Sequence, residues 1–119
     1  DAGIKAALLD NYVGDIGHAV QTVAEAAGFS VVRDLVGHGL GSKFHEEPQV
    51  PNFGQPKRGA RLVAGMTIAI EPMVNIGGRE TRTMDDNWTI VTADGSLSAH
   101  FEHTVVIGPD GPRVLTIRD

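Results

Sequence analysis

The sequence contains no cysteine among its 119 residues. That absence excludes disulfide bridges, zinc–thiolate sites and cysteine nucleophiles. Long apolar segments are lacking as well, since no run approaches the roughly 18–20 residues needed to span a bilayer. Basic residues are few: ten Lys and Arg face fifteen Asp and Glu, for a net charge of −5. This balance disfavours nucleic acid and anionic membranes as partners, because both require a basic surface.

Length and composition indicate a globular chain. A chain of 119 residues predicts a single domain. Hydrophobic residues make up 41% and charged residues 21%, as in ordinary soluble proteins. Because the chain begins at Asp1 and not at a methionine, we expect it to be processed or truncated.

Hydrophobic residues recur first at helical spacing and later in strand-like runs. This order predicts an α+β fold, with an N-terminal helix followed by an antiparallel sheet. Ile4, Ala7 and Leu8 fit helical spacing, and a second helix is predicted after Asp15 as its N-cap, with Gly28 just past its end. From Phe29 onward the sequence favours strands and loops.

Three later predictions concern the strand region. The glycine-rich stretch 37–60 is predicted to be an irregular loop. Residues 66–71 are predicted to form a strand that ends at Pro72, since proline cannot donate to a ladder. Asp94-Gly95 and Asp110-Gly111 are predicted hairpin turns at the two ends of one long strand.

Three residues stand out as candidates for metal chemistry. Glu71 and Glu102 each lie on the less apolar face of a predicted strand, and His38 lies between glycines. Taken singly, each glutamate fits a solvated face and the histidine fits a turn. Taken together, one imidazole and two carboxylates suit a divalent ion such as Zn, Co, Mn or Fe.

The number of donors limits what this set can hold. Three ligands hold one ion with an open position, whereas two ions need further carboxylates. The spare acids Asp85, Asp86 and Asp94 lie in turn-like sequence and are predicted to be turn formers. His45 is either a surface loop residue or a hydrogen-bond donor to an oxyanion beside the metal.

Three stretches resemble methionine aminopeptidases of the bacterial type I class: GHGLGSKFHEEPQV, AGMTIAIEPMV and TRTMDDNWTIVTADGSLSAHFEHTVVI. The resemblance runs from about Gly14 to the end of the chain. Prolidases and aminopeptidase P share the metal set but typically have glycine after this Glu-Pro pair, where this chain has Met73. The resemblance implies a pita-bread (creatinase/aminopeptidase) fold of two similar halves. Residues 1–119 are then a single partial domain, the C-terminal half of the catalytic domain.

The resemblance also implies site roles. His38 and Glu71 are expected to bind one metal, and Glu102 to bridge two divalent ions in the complete enzyme. His45 is expected to contact the substrate and stabilise the tetrahedral intermediate, and Glu71 to act as proton shuttle. Two aromatic residues, Phe44 and Trp88, are expected to line the pocket for the methionine side chain.

The expected activity is removal of the initiator methionine from nascent proteins or short peptides in the cytoplasm. The family's first half supplies two aspartate ligands and another histidine, which this chain lacks. We therefore expect this chain to be inactive alone, and to associate with a missing N-terminal half or with itself. Two alternatives stay open: an Xaa-Pro aminopeptidase, and a non-catalytic pita-bread module that binds a protein partner.

Overall fold

A computed structural model describes residues 1–43 and 45–117. Within those residues the chain forms two helices followed by ten strands. They are α1 (Ala2–Ala6), α2 (Val13–Ala26), β1 (Ser30–Val31), β2 (Gly37–Leu40), β3 (Glu46–Val50), β4 (Thr67–Ile70), β5 (Met73–Asn75), β6 (Thr81–Thr83), β7 (Ile90–Thr92), β8 (Ser98–His100), β9 (His103–Gly108) and β10 (Gly111–Val114). The strands pair antiparallel in three sheets, ordered β1-β5-β8, β10-β9-β4-β2-β3 and β6-β7. The predicted α+β class is confirmed.

The helices cover one side of the five-stranded sheet and form the core with it. Their apolar side chains meet those of the central strands in one cluster. The buried members of that cluster are Ala7, Val13, Ile16, Val50, Leu62, Ile68, Ile70, Val105 and Ile107. No helix in the described part of the chain is both long and apolar enough to cross a membrane.

Helix α2 begins one turn earlier than predicted. Tyr12 is the N-cap, and the Asp15 carboxylate accepts the Tyr12 backbone N–H at 2.7 Å from within the first turn. The prediction that Asp15 itself is the cap is therefore wrong, because its side chain caps from position N3. Gly28 has φ +86°, as predicted for the left-handed residue that follows a helix.

The prediction of an irregular loop over residues 37–60 is wrong for the strands β2 and β3. Glycine here permits close strand packing. A Cβ atom on Gly37 would overlap the carbonyl oxygen of Ala69, and one on Gly39 would overlap that of Glu47. The two glycines therefore let β2 fit between β4 and β3, with a register shift at His38–Gly39.

The predicted long strand is interrupted at residues 101–102. Strand β8 pairs with β5, whereas β9 pairs with β4, so the two halves belong to different sheets. The turn at Asp94-Gly95 does not close a hairpin, since β7 pairs with β6 and not with β8. The turn at Asp110-Gly111 does close one, between β9 and β10.

The acidic residues predicted to form turns do so. Asp94 accepts the backbone N–H groups of Gly78 at 2.7 Å and Ser96 at 3.0 Å, and these hydrogen bonds lower its pKa to about 2. Asp86 accepts the N–H groups of Trp88 and Thr89 at 2.9 and 2.8 Å. Both carboxylates are thus engaged within their own turns.

We predict that Gly39→Ala lowers the free energy of unfolding by about 1–3 kcal/mol, because the added methyl group overlaps a backbone atom that cannot move independently. Gly78→Ala is the matched control, since its Cβ would meet side-chain carboxylate oxygens of Glu80 and Asp94 and no backbone atom. Urea denaturation of both variants measures the difference. Equal stability of the two variants would contradict the close packing of β2.

Candidate metal centre

His38 is buried on strand β2, with its ring held by the backbone. Its Nδ1 lies 3.0 Å from the carbonyl oxygen of Gly39, so Nδ1 carries the proton of that hydrogen bond. In the neutral ring this leaves the Nε2 lone pair on the other side, 3.3 Å from Oε1 of Glu71. A histidine that gives one N–H to a carbonyl and turns the other nitrogen toward a carboxylate is oriented as metal-binding histidines are.

The register of strand β4 explains why Glu71 and Glu102 lie together. Strand β4 pairs with β9 so that Ile70 lies opposite His103. The next residues outward on each strand are Glu71 and Glu102, which therefore lie across from each other just past the strand ends. On the other side of β4, His38 lies opposite Ala69, two residues before Glu71 on the same face.

The three side chains converge on one point. His38, Glu71 and Glu102 each offer a donor atom, and these atoms all lie within 4.8 Å of one another. One imidazole nitrogen and two carboxylate oxygens at this separation fit a divalent ion of the Zn, Mn, Fe or Co kind. Among the described residues, no other group of three His, Asp or Glu side chains converges in this way.

The environment of Glu71 shifts the pKa of its carboxyl group. Its side chain is 15% exposed. Burial raises its pKa above the ordinary value, and the nearby Glu102 carboxylate raises that pKa further. His38, His100 and His45 act in the opposite direction but do not cancel the rise. Glu71 therefore binds a proton more readily than a free glutamate does.

His45 lies beside the cluster, in contact with His38. The two ring centroids are 4.0 Å apart at an interplanar angle of 46°. Both histidines line a cleft of about 780 Å³, together with Glu71 and Met73. His45 is therefore placed where it can reach a molecule bound at the donor cluster.

Of the two aromatic residues of the expected methionine pocket, Trp88 alone lies among the described residues. Phe44 lies outside the described residues. Trp88 is 86% exposed between β6 and β7, and is not among the side chains that line the cleft. The structure does not bring Trp88 to the donor cluster, and its role stays a prediction.

Two contacts to Glu71 were not predicted. His100 places Nε2 3.5 Å from Glu71 Oε2, and the fully buried Asn52 donates Nδ2–H to the Glu71 carbonyl oxygen at 3.4 Å. His100 had a signal, since it shares the predicted strand face of Glu102. Asn52 had none, because it follows Pro51 in a segment whose composition indicates a loop.

Comparisons with known proteins agree with this geometry. The sequence model of metallopeptidase family M24 matches residues 1–109. A methionine aminopeptidase of Clostridium perfringens is 60% identical over 97% of this chain and 46% of its own length. A crystal structure of methionine aminopeptidase from Thermotoga maritima superposes with a TM-score of 0.94 and 47% identity, over 98% of this chain and 47% of that one.

A prolidase from Pyrococcus furiosus superposes with a TM-score of 0.68 and 20% identity. The match covers 99% of this chain and 29% of the prolidase chain, and it shows a shared fold alone. The chain thus spans about half the length of the methionine aminopeptidases it matches.

We predict that Glu71→Gln stabilises the metal-free chain at neutral pH. A raised pKa means that ionisation of Glu71 costs folding free energy once the pH exceeds the folded-state pKa. Below the ordinary glutamate pKa of about 4.3, both folded and unfolded chains hold the proton, and the advantage of the variant disappears. Thermal unfolding in EDTA at several pH values measures this.

Glu80→Gln, which removes an exposed carboxylate outside the cleft, is the control. A melting temperature of Glu71→Gln below that of the wild type at neutral pH would contradict the account of this site.

Proposed function

Because the chain belongs to metallopeptidase family M24, we propose that it forms the second half of the catalytic domain of a metal-dependent methionine aminopeptidase. The whole enzyme would remove the N-terminal methionine from peptides and nascent proteins in the cytoplasm. The observation that carries this proposal is the convergence of His38, Glu71 and Glu102 in a chain 60% identical to part of a methionine aminopeptidase.

The metal proposal assigns these three residues as ligands. His38 and Glu71 would hold one divalent ion, and Glu102 would reach both ions of the complete enzyme. A divalent ion bound there supplies Lewis acidity toward a peptide carbonyl and a nucleophile at neutral pH. The donor set suits Co, Mn, Fe or Zn alike, since imidazole and carboxylate accept all of them.

The chain's own residues would then handle protons and charge. Glu71 would receive a proton from the attacking water at a carboxylate oxygen and return it to the leaving amine. His45 would donate a hydrogen bond to the carbonyl oxygen of the scissile peptide, which gains negative charge in the transition state. Its place in the cleft beside His38 supports this role. Phe44 and Trp88 would enclose the methionine side chain.

Two alternatives are less well supported. Prolidase-type enzymes share the fold at 20% identity, whereas methionine aminopeptidases reach 60%. Met73 in the cleft is the residue that separates the two classes by sequence. A non-catalytic module would have no need to keep three converging ligands, so the intact donor set argues against it.

An apolar groove supports the proposal that further polypeptide covers this chain. The groove has a volume of about 600 Å³ and lies between helix α2 and the β1-β5-β8 sheet, with Glu102 also in its lining. Several large exposed hydrophobic side chains line it: Val23, Phe29, Ile76, Leu97 and Phe101. Such a surface marks an interface. The remaining half of the enzyme would occupy it, or failing that a second copy of the chain.

We predict that the 119-residue chain alone has little or no aminopeptidase activity. Three donors are too few for a tight two-metal cluster, and the chain alone would lack the rest of the pocket that holds the substrate. The assay is cleavage of a Met-Ala-Ser peptide with added Co²⁺ or Mn²⁺, with a full-length methionine aminopeptidase as control. Turnover near that of the control would contradict the proposal that half of the enzyme is required.

We predict that His45→Ala in a complete enzyme lowers turnover by a factor on the order of 10²–10³, the cost of one oxyanion donor. Metal content should stay unchanged, because His45 is outside the converging donor group. Turnover and metal analysis of the same preparation test both parts. Loss of metal from the variant would make His45 a ligand and reject the proposed role.

A further inference from the structure

Glu71 is the one carboxylate of the site that has an imidazole against each of its oxygens. Oε1 lies 3.3 Å from Nε2 of His38, and Oε2 lies 3.5 Å from Nε2 of His100. The two histidines differ in setting, because the side chain of His38 is 10% exposed and that of His100 is 44% exposed. His38 also belongs to the converging donor group, whereas His100 does not.

Strand pairing fixes the place of His100. Strand β8 pairs with β5 so that His100 lies opposite Met73, two residues after Glu71. The pairing continues past the end of β8, where Phe101 donates its backbone N–H to the Pro72 carbonyl oxygen at 3.1 Å. The backbone on both sides of His100 is thus tied to the segment that carries Glu71.

We propose that His100 is a positioning residue for Glu71. With its proton on Nε2, the imidazole can donate to Oε2, 3.5 Å away, and so keep Oε1 turned toward His38 and the proposed metal position. Asn52 supports the same residue from the other end, through its hydrogen bond to the Glu71 carbonyl oxygen. Glu71 is therefore held at its backbone and at the oxygen that does not face His38. This inference rests on the proposed metal site and extends it to a residue outside the donor group.

The chemistry favours a supporting role over a ligand role. Carboxylates that bind metals are themselves hydrogen-bonded, and loss of such a partner typically lowers metal affinity or activity about 10-fold to 100-fold. A glutamine at position 100 keeps an N–H donor without an imidazole nitrogen that could bind metal. Alanine keeps neither. The two substitutions therefore separate a donor from a ligand.

The experiment compares zinc binding by the wild-type chain, His100→Gln, His100→Ala and the remote control His18→Ala, using calorimetry with Zn²⁺ alone. We expect affinity to fall about 10-fold to 100-fold in His100→Ala, to return largely in His100→Gln and to stay unchanged in His18→Ala. Unchanged affinity in His100→Ala would overturn the proposal. Equal loss in the Gln and Ala variants would also overturn it, since His100 would then act as a ligand.

A second measurement needs no metal. Proton–nitrogen correlation NMR of the metal-free chain, at a pH where the imidazole is neutral, reports which ring nitrogen of His100 carries the proton. The proposal requires Nε2–H, and a predominant Nδ1–H form would overturn it. If the wild-type chain binds no zinc, the proposed metal site fails, and the state of the His100 ring still decides the positioning role.

Discussion

The pairing of strand β4 with β2 on one side and β9 on the other is the constraint on which the site depends. It sets Ile70 against His103 and Ala69 against His38. Side-chain alternation then brings Glu71 next to Glu102 and onto the face of His38. A shift of one residue in either pairing would turn one of these side chains to the opposite face of the sheet, and the three would no longer converge.

That arrangement is electrostatically costly without a cation. Burial of Glu71 raises the pKa of its carboxyl group, and the neighbouring, exposed Glu102 carboxylate raises that pKa further. Packing that does not depend on charge keeps these side chains close together. The glycines on both sides of His38 let the strands pack closely, and the hydrophobic cluster lies beneath β4. A divalent ion would remove the repulsion and use the same donors. The hydrophobic core therefore brings the three side chains together, and a bound cation would offset the repulsion between the two carboxylates.

Sequence patterns predicted which side chains come together more accurately than they predicted the backbone that carries them. Alternation along residues 66–71 placed Glu71 on the face that also carries His38, because a central strand has a strict two-residue period.

The glycines around His38 led to the wrong prediction of a loop, since composition cannot distinguish a turn from a strand that packs closely because it has few side chains. The interruption of the long strand at residues 101–102 was missed for a related reason. Both halves have strand-like sequences, and only their partners differ. The contact of His100 with Glu71 depends on those partners, so it emerged only from the tertiary structure. Trp88 is the opposite case, a role predicted from resemblance and not from the fold. The resemblance predicts that Trp88 lines the methionine pocket, whereas its side chain is exposed in this structure and is not among those that line the cleft.

Anomalous X-ray scattering from crystals of the chain grown with Zn²⁺ tests the central claim most directly. The account predicts a zinc peak about 2.0–2.2 Å from His38 Nε2 and from a carboxylate oxygen of Glu71, the usual distances for nitrogen and oxygen ligands. Glu102 should contribute an oxygen to the same ion. A zinc peak elsewhere, with none between these three side chains, would contradict it.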